Sequence, residues 1–263
     1  MNRSLKVAAA IALSALMLAS CSGSKDDAPS ASDAALVTPG TLTVCSDVPY
    51  PPFEDFDKSA ASGFKGFDID IDQAIADGLK LKLVIKDSSF DGLQSGQALN
   101  AGQCDMASSA MTITPERQKN IAFSDSYYDS KQSLLVPKGS DIKSIKDLAG
   151  KTVGVQQGTT GKTYTEENAP KTAKIPSFPS DAEMYQAIQA GQVDALLQDL
   201  PVNLEHTKGG KFVVVEQYDT DEAYGLAIKK GNTKLVADVN AQLAELKSSG
   251  EYQKLYDKYF SAN

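Results

Sequence analysis

Most of the chain alternates short strand-like and helix-like patterns, and this alternation constrains its fold more than any other feature. Residues 41–46 and 81–86 are predicted to be strands. Between them, residues 67–80 carry apolar residues such as Ile71 at helical spacing, with Asp68 as the predicted N-cap. Alternating strands and helices favour a mainly parallel sheet with helices on both faces, so the sequence predicts the α/β class.

The same alternation continues to the end of the sequence. Further predicted strands cover 105–111, 132–137, 151–156, 173–178, 193–199 and 225–230. Further predicted helices cover 90–102, 160–168, 181–191, 201–208, about 233–248 and 251–260, with a short one after Thr114. These elements form two similar α/β sets of roughly 100 residues each.

Two stretches are candidate junctions between these sets, at residues 123–131 and 221–227. If the chain crosses at both, lobe 1 comprises 41–127 and 226–263, and lobe 2 comprises 128–225. The alternative is one continuous large sheet, although two compact lobes are a common outcome for a chain of this length.

The start of the chain differs from the rest. Residues 1–20 combine two basic residues, an apolar run and then small residues, in the order of a secretory signal peptide. The Leu-Ala-Ser-Cys sequence that ends at Cys21 resembles the lipobox of bacterial lipoproteins, which implies a lipidated cysteine. The alternative is an ordinary signal cleaved nearby, with Cys21 incidental. Residues 21–40 are then predicted to be the anchor cysteine and a flexible tether rich in Ser, Ala, Asp, Pro and Gly.

The charge balance restricts the kind of partner. The full chain has a net charge of −8, and removing residues 1–20 takes away Arg3 and Lys6 but no acid, which leaves −10. This charge argues against nucleic-acid binding but permits a cationic small ligand.

Cysteine and histidine usage gives two further expectations. Cys45 and Cys104 predict one disulfide if the protein is exported, and the alternative is two buried free cysteines. Neither a metal nor a cofactor is predicted, because there is no Cys-x-x-Cys pair and His206 is the only histidine. We expect His206 to lie on the surface.

Polar and aromatic side chains follow several predicted strands, where ligands bind in open α/β sheets. Arg117 is predicted in the first turn of a short helix with Thr114 as N-cap and Pro115 at N1, where the helix dipole disfavours a cation. Its guanidinium offers a two-pronged donor for a carboxylate. The other candidates at strand ends are Asp47, Tyr50, Phe90, Ser109, Ala110, Thr112, Gln157, Thr160 and Asp199.

Together these residues predict a site for an α-amino acid. The Thr112 hydroxyl is placed to donate to the same carboxylate as Arg117, and the free backbone N–H groups of the helix start at 158–161 also suit an anion. Asp199 suits an ammonium, which leaves Asp47 to contact the ligand's side chain. Each feature alone is more simply a surface or turn residue, and the prediction depends on their coincidence at strand ends.

Several stretches resemble the bacterial extracellular solute-binding proteins of family 3, which serve polar amino acid ABC transporters. The resemblance covers nearly all of 41–263. Its most specific stretches are YPPFE (50–54), GFDIDI (66–71), MTITPER (111–117), FSDSYY (123–128), VGVQQGTT (153–160) and LLQDLP (196–201). It implies a type II periplasmic-binding-protein fold, in which two α/β lobes joined by a two-strand hinge close on a ligand. It also implies a permease partner, a monomer, and an exported, lipid-anchored protein facing the periplasm or the cell exterior.

The resemblance also implies which residues bind the α-carboxylate and the α-ammonium of the ligand. Arg117, the Thr112 hydroxyl and the backbone of Thr160 are expected to hold the ligand's α-carboxylate. Asp199 and the carbonyl of Ala110 are expected to hold the α-ammonium.

For the ligand's side chain, the resemblance implies that Tyr50 and Phe90 sandwich it and that Asp47 contacts its polar or cationic end. With Ser109 and Gln157, this set is most similar to binders of lysine, arginine, ornithine or histidine. Glutamine binders are the alternative, because they also carry an acid matching Asp47. Anionic side chains are disfavoured by Asp47.

Two features complicate this assignment. Gly161 departs from the pattern, since basic-amino-acid binders often have a longer polar residue there. An enzyme resembling cyclohexadienyl dehydratases is the competing function on the same fold, but catalysis is not predicted because both site acids already have ligand-holding roles.

Overall fold

The computed structural model describes residues 35–261 and contains two five-stranded mixed sheets and a two-stranded hairpin. The strands are β1 (Thr41–Ser46), β2 (Asp55–Phe56), β3 (Phe64–Lys65), β4 (Lys82–Asp87), β5 (Met106–Ala107), β6 (Ile121–Phe123), β7 (Tyr128–Pro137), β8 (Val153–Gln156), β9 (Ser177–Phe178), β10 (Ala195–Asp199), β11 (Phe212–Tyr224) and β12 (Ala227–Lys229). The helices are α1 (Phe67–Gly78), α2 (Phe90–Gln94), α3 (Gln97–Asn100), α4 (Pro115–Gln118), α5 (Thr160–Asn168), α6 (Asp181–Gln189), α7 (Leu200–Thr207), α8 (Thr233–Ser248) and α9 (Glu251–Phe260). The predicted α/β class is confirmed.

Each sheet has a parallel centre and antiparallel additions. The first runs β4-β1-β5-β12-β6, with β1 parallel to both neighbours and β12 antiparallel to both of its own. The second runs β11-β7-β10-β8-β9, with β8 parallel to β10 and β9, and β7 antiparallel to β10 and β11. We call the first sheet with its helices lobe 1 and the second lobe 2. Two separate sheets exclude the alternative of one continuous sheet.

The chain passes between the sheets twice. It leaves lobe 1 at the end of β6, Phe123, and enters lobe 2 at Tyr128, the start of β7. It returns between Tyr224, the end of β11, and Ala227, the start of β12. Both crossings fall inside the predicted junctions, and the residue-level lobe boundaries remain a prediction.

Apolar side chains bury each sheet against its helices. In lobe 1, Leu42 of β1 packs in one cluster with Ile71 and Ile75 of α1. In lobe 2, Leu196 and Leu197 of β10 belong to different clusters, as the two-residue period of a strand requires. Each such side chain stabilises the fold by about 1.5–3 kcal/mol, so the strands that carry the site are rigidly supported.

A disulfide joins Cys45 of β1 to Cys104, which lies just before β5. Both cysteines are buried. Of the two alternatives for these residues, the structure therefore contains the bridge. It ties together two neighbouring strands that lead into the candidate site.

Two elements differ from the sequence prediction. The helix predicted over 90–102 is two short helices, because Gly96 adopts a left-handed conformation (φ 78°) between α2 and α3. The strand predicted over 105–111 pairs only at Met106–Ala107. The backbone then turns, and Ala110 takes a positive φ of 44°, which is incompatible with a continuing strand.

Two side chains are more buried than predicted. Asp68 is not the N-cap of α1, since Gly66 takes that position and Asp68 lies fully buried in the first turn. His206 is only 8% exposed, so the prediction of a surface residue was wrong. Its Nε2 lies 2.9 Å from Oδ1 of Asp181 on α6, and its ring stacks on Tyr185, so partners from another helix compensate its burial.

Among residues 35–261, no helix combines the length and apolarity needed to cross a membrane. The same part of the chain contains no cluster of His, Cys, Asp or Glu suited to a metal ion. The predicted signal peptide and Cys21 lie outside the described residues.

Candidate functional site

Strand ends from both lobes meet around one cavity with about 300 Å³ of empty space. The walls come from residues that follow β1 and β5 in lobe 1 and from the ends of β8 and β10 in lobe 2. The lining residues are Asp47, Tyr50, Phe90, Ser109, Ala110, Thr112, Arg117, Gln156, Thr159, Thr160 and Asp199.

All but one of the predicted site residues line this cavity, and the exception is Gln157. Its side chain is exposed, whereas Gln156, the last residue of β8, is 3% exposed and lines the cavity. Successive side chains of a strand point to opposite faces, so an error of one residue selects the wrong side chain. The position of the strand end, rather than the motif, is the signal that would have identified Gln156. Thr159 also lines the cavity and was not predicted.

Arg117 is held in the cavity wall by the start of α4. The Thr114 hydroxyl accepts a hydrogen bond from the Arg117 backbone N–H at 3.2 Å, and Pro115 occupies N1, as predicted. Arg117 is 5% exposed, and its guanidinium lies over the Phe90 ring, 5.2 Å from the ring centroid. These contacts fix a buried cation at the end of a short helix.

The guanidinium donates to two backbone carbonyls, Thr112 O at 2.7 Å and Gly158 O at 3.0 Å. Within residues 35–261 it has no carboxylate at ion-pair distance. Burial lowers the pKa of Arg117 to about 10, although nearby Glu222 and Asp199 oppose this shift. Arg117 is therefore charged at neutral pH, and an anion in the cavity would compensate a charge that burial makes costly.

Thr112 and Thr160 place two hydroxyls beside Arg117. Thr112 belongs to the segment after β5, and Thr160 is the first residue of α5, so the pair comes from both lobes. Their Oγ1 atoms are 3.5 Å apart, and both hydroxyls donate to Glu222 Oε2. Glu222 was not predicted, because its position within a long polar stretch carries no motif.

Two buried acids of lobe 1 hold the segment that precedes Thr112. Asp68 Oδ2 accepts the Ala110 backbone N–H at 2.8 Å and the Tyr127 hydroxyl at 2.8 Å. The Ser109 hydroxyl donates to Glu54. Burial raises the pKa of Asp68 to about 7 and that of Glu54 well above its usual range. These contacts support the positive φ of Ala110, which is uncommon for a residue with a side chain.

Asp199 lies on the lobe 2 side of the cavity, at the end of β10. Its Oδ2 accepts the Tyr50 hydroxyl at 2.9 Å, and its Oδ1 accepts Gln132 Nε2 at 2.5 Å. Burial, and then the nearby Glu222, raise the pKa of Asp199 to about 7. A cation placed against Asp199 would favour its ionised form.

Asp47 lies at another part of the cavity wall and is 7% exposed. Its backbone N–H donates to Ser109 Oγ at 3.1 Å, and its Oδ2 accepts Gln156 Nε2 at 2.6 Å. Burial raises the pKa of Asp47 to about 7, while the hydrogen bond from Gln156 acts in the opposite direction. Asp47 is thus a second acid that a neighbouring cation would ionise.

Side-chain contacts across the cavity hold the lobes close together. Tyr50 of lobe 1 donates to Asp199 of lobe 2, and Gln156 of lobe 2 donates to Asp47 of lobe 1. Arg117 of lobe 1 donates to the Gly158 carbonyl of lobe 2. The cavity is therefore enclosed between the two lobes rather than formed by either lobe alone.

Comparison with known proteins relates this architecture to characterised relatives. A model of the bacterial extracellular solute-binding proteins, family 3, matches residues 42–262. A probable histidine-binding protein of Neisseria gonorrhoeae is 36% identical, over 99% of this chain and 97% of its own. An ABC transporter glutamine-binding protein of Bacillus subtilis (strain 168) is 37% identical, over 77% of this chain and 75% of its own.

A solved structure of an ancestral arginine-binding protein bound to arginine is also similar. It is 38% identical to this chain, covers 84% of it, and is itself covered over 99% of its length. The TM-score between the two is 0.79. The similarity therefore extends over nearly the whole of that two-lobed protein.

Proposed function

The chain belongs to the bacterial extracellular solute-binding proteins of family 3, and on this premise we propose that it delivers an L-amino acid to an ABC transporter for import. Its fold is the predicted type II periplasmic-binding-protein fold, with two α/β lobes joined by two strands. We propose further that the preferred ligand is basic, in the class of lysine, arginine, ornithine and histidine.

One observation carries the proposal more than any other: Arg117 is buried, charged and without an ion-pair partner among residues 35–261, in a cavity that also contains Asp199. A carboxylate from the ligand would pair with the guanidinium in a two-pronged geometry. An ammonium from the same ligand would pair with Asp199. These two charges on one small molecule define an α-amino acid.

The neighbouring groups fit the same ligand. The hydroxyls of Thr112 and Thr160 lie beside the Arg117 guanidinium and suit the ligand's α-carboxylate. Asp199 is assigned to the α-ammonium, with the Ala110 carbonyl as a second acceptor. These are the roles predicted from the sequence, and the shared cavity supports them.

The part of the cavity around Asp47 would receive the ligand's side chain. The Tyr50 and Phe90 rings line the cavity as apolar walls, and Asp47 with Gln156 supplies polar contacts. A cationic side chain satisfies a buried acid better than a neutral amide does, which favours a basic ligand over glutamine. Glutamate and aspartate are disfavoured, because their side chains would be repelled by ionised Asp47.

Gly161 lies close to the side chain of Gln132, which offers a reason for the glycine that does not involve the ligand. A Cβ atom there would lie 2.8 Å from Gln132 Oε1 and 3.2 Å from the Leu197 carbonyl. Gln132 in turn donates to Asp199. The glycine thus leaves room for Gln132, which orients the acid proposed for the ammonium.

The names of the relatives include histidine and arginine binders and a glutamine binder at similar levels of identity. They therefore support an amino acid ligand without deciding between a basic ligand and glutamine. We also propose that residues 1–20 direct export and that a lipid on Cys21 anchors the protein to a membrane beside its permease. In this arrangement the protein acts as a monomer, with residues 22–40 as a tether.

A thermal-shift panel of the amino acids tests the proposed function. A ligand that binds only the folded state stabilises it by RT ln(1 + [L]/Kd), which is about 2.7 kcal/mol at a hundredfold excess over Kd. Lysine, arginine, ornithine or histidine should raise the melting temperature most, and glutamate and aspartate should leave it unchanged. A panel in which no amino acid stabilises the protein would refute the proposal, and stabilisation by glutamine alone would reassign the ligand.

A further inference from the structure

Glu222 brings a third carboxylate next to the cavity from an irregular part of β11. The pairing of β11 with β7 shifts register between Tyr218 and Glu222. Within this bulge Asp221 adopts a φ of 50°, which is uncommon for a residue with a side chain. Glu222 follows directly and is 7% exposed. The bulge in β11 therefore places the buried carboxylate of Glu222 beside the site.

The contacts of Glu222 fall on groups already proposed to receive the ligand. Its Oε2 accepts the Thr112 hydroxyl at 2.7 Å and the Thr160 hydroxyl at 2.8 Å. Its Oε1 accepts Gln132 Nε2 at 3.0 Å. A threonine hydroxyl has a single proton to donate. Both of these protons are therefore directed to Glu222.

Glu222 approaches the hydroxyls from outside the amino-acid cavity. Thr112, Arg117 and Thr160 line both that cavity and an adjoining groove between the lobes, whereas Glu222 lines only the groove. A ligand carboxylate in the cavity and the Glu222 carboxylate in the groove would thus face the same two hydroxyls from different sides.

We propose that Glu222 is an internal competitor for the ligand's α-carboxylate and sets how much that group contributes to binding. This inference rests on the proposed function. When the ligand's carboxylate takes the two hydroxyl protons, Glu222 keeps only the Gln132 amide as a donor. The cost of leaving a buried carboxylate partly unsatisfied then opposes the binding of the ligand's carboxylate. An amine that lacks a carboxylate does not incur this cost.

Substitution Glu222→Gln tests the competition by calorimetric titration. The two ligands are the amino acid that most stabilises the wild-type protein and the amine obtained from it by decarboxylation. The variant should bind the amino acid about tenfold more tightly, because it regains roughly one charge-assisted hydrogen bond. Its affinity for the amine should be unchanged, reduced or below detection, because the amine makes no use of the freed hydroxyls.

Asp221→Asn is the matched control. It removes one negative charge at the adjacent residue, which is exposed, and asparagine tolerates a positive φ. We expect it to change the amino acid's affinity by less than about twofold, in keeping with a screened surface charge. Glu222→Ala provides a second removal of the carboxylate, and melting temperatures establish that each variant is folded.

The outcomes separate this inference from the proposed function. If the wild-type protein binds no amino acid, the proposed function fails. If the wild type binds the amino acid and the folded Glu222 variants bind it equally or more weakly, the inference fails. Glu222 would then stabilise the contact between the lobes instead. The inference also fails if the amine, or the amino acid with the Asp221 control, gains affinity equally, since Glu222 would then act only as a general negative charge. It fails as well if neither Glu222 variant folds, since Glu222 would then be a structural residue.

Discussion

Arg117 is held in the site by a single helical turn and is almost completely buried. The sequence predicted a conflict between its charge and the dipole of its helix. That conflict does not arise in the structure, because α4 has four residues and Arg117 lies in its last turn as well as its first. The unfavourable feature of this position is instead the burial of the charge, which an anion in the cavity would compensate.

At the same scale, Asp47 should make binding of a cationic ligand depend on pH. Burial raises the pKa of Asp47 to about 7, so it is increasingly protonated as pH falls below that value. A lysine or arginine side chain prefers the ionised form, and affinity should rise as pH increases from about 6 to about 8. Asp199, whose pKa is also about 7, contributes in the same direction.

Asp47→Asn separates the contribution of Asp47 to the pH dependence of affinity from that of Asp199. It should weaken lysine or arginine by about tenfold or more at pH 8, weaken glutamine less, and flatten the part of the pH dependence due to Asp47. Titration calorimetry at about pH 6 and about pH 8 measures these affinities. Asp125→Asn, which removes an exposed acid that does not line the cavity, is the control. Equal losses for lysine and glutamine would remove Asp47 from ligand selection.

Residue identities were predictable from the sequence where a strand end or a helix start marked them. Arg117 and Thr160 each occupy such a position, and both line the cavity. Gln156 was missed although the predicted strand ends at that residue, because the site was sought among the residues that follow each strand. Glu222 was missed because its position depends on the bulge in β11, which the sequence does not display. The burial of His206 depends on Asp181, which is distant in sequence.

At the scale of elements, regular helices with clear ends were the most predictable. α5, α8 and α9 match the predicted ranges, since each has a capping residue or a glycine next to it. β11 was not predicted, although it begins with four strand-forming apolar residues at 212–215. Its second half is mostly polar and lies at the edge of the lobe 2 sheet, where backbone pairing rather than an apolar pattern extends the strand.

The disulfide is the covalent link between two elements that lead into the site. Cys45 and Cys104 close a loop with a sequence separation of 59, for which the chain-entropy model predicts about 4 kcal/mol of stabilisation. Replacing both cysteines with alanine should therefore lower the free energy of unfolding by roughly 2–4 kcal/mol.

Urea unfolding of the double variant, with the oxidised wild type beside it, measures this difference. Wild type treated with a reductant should unfold at the same urea concentration as the variant, since both lack the bridge. If the oxidised protein and the variant had equal midpoints, the bridge would contribute nothing to stability.

At the scale of the whole molecule, closure of the two lobes assembles the site. The paired hydroxyls Thr112 and Thr160, and the contact between Tyr50 and Asp199, join groups from opposite lobes. The sequence predicted two lobes because its strand and helix pattern repeats. It placed residues of both lobes in one site, but it did not predict their direct contacts, such as the hydrogen bond from Tyr50 to Asp199, because those depend on how the lobes are oriented.

Arg117 is proposed to bind the α-carboxylate of an amino acid, and calorimetric titration of Arg117→Met is the sharpest test of that role. Methionine keeps a long buried side chain without the charge, and Lys119→Met removes an exposed cation near the same turn as the control. Arg117→Met should bind the preferred amino acid about a hundredfold or more weakly, whereas the control should bind as wild type does. Binding by a folded Arg117→Met within about tenfold of wild type would show that Arg117 does not hold the carboxylate.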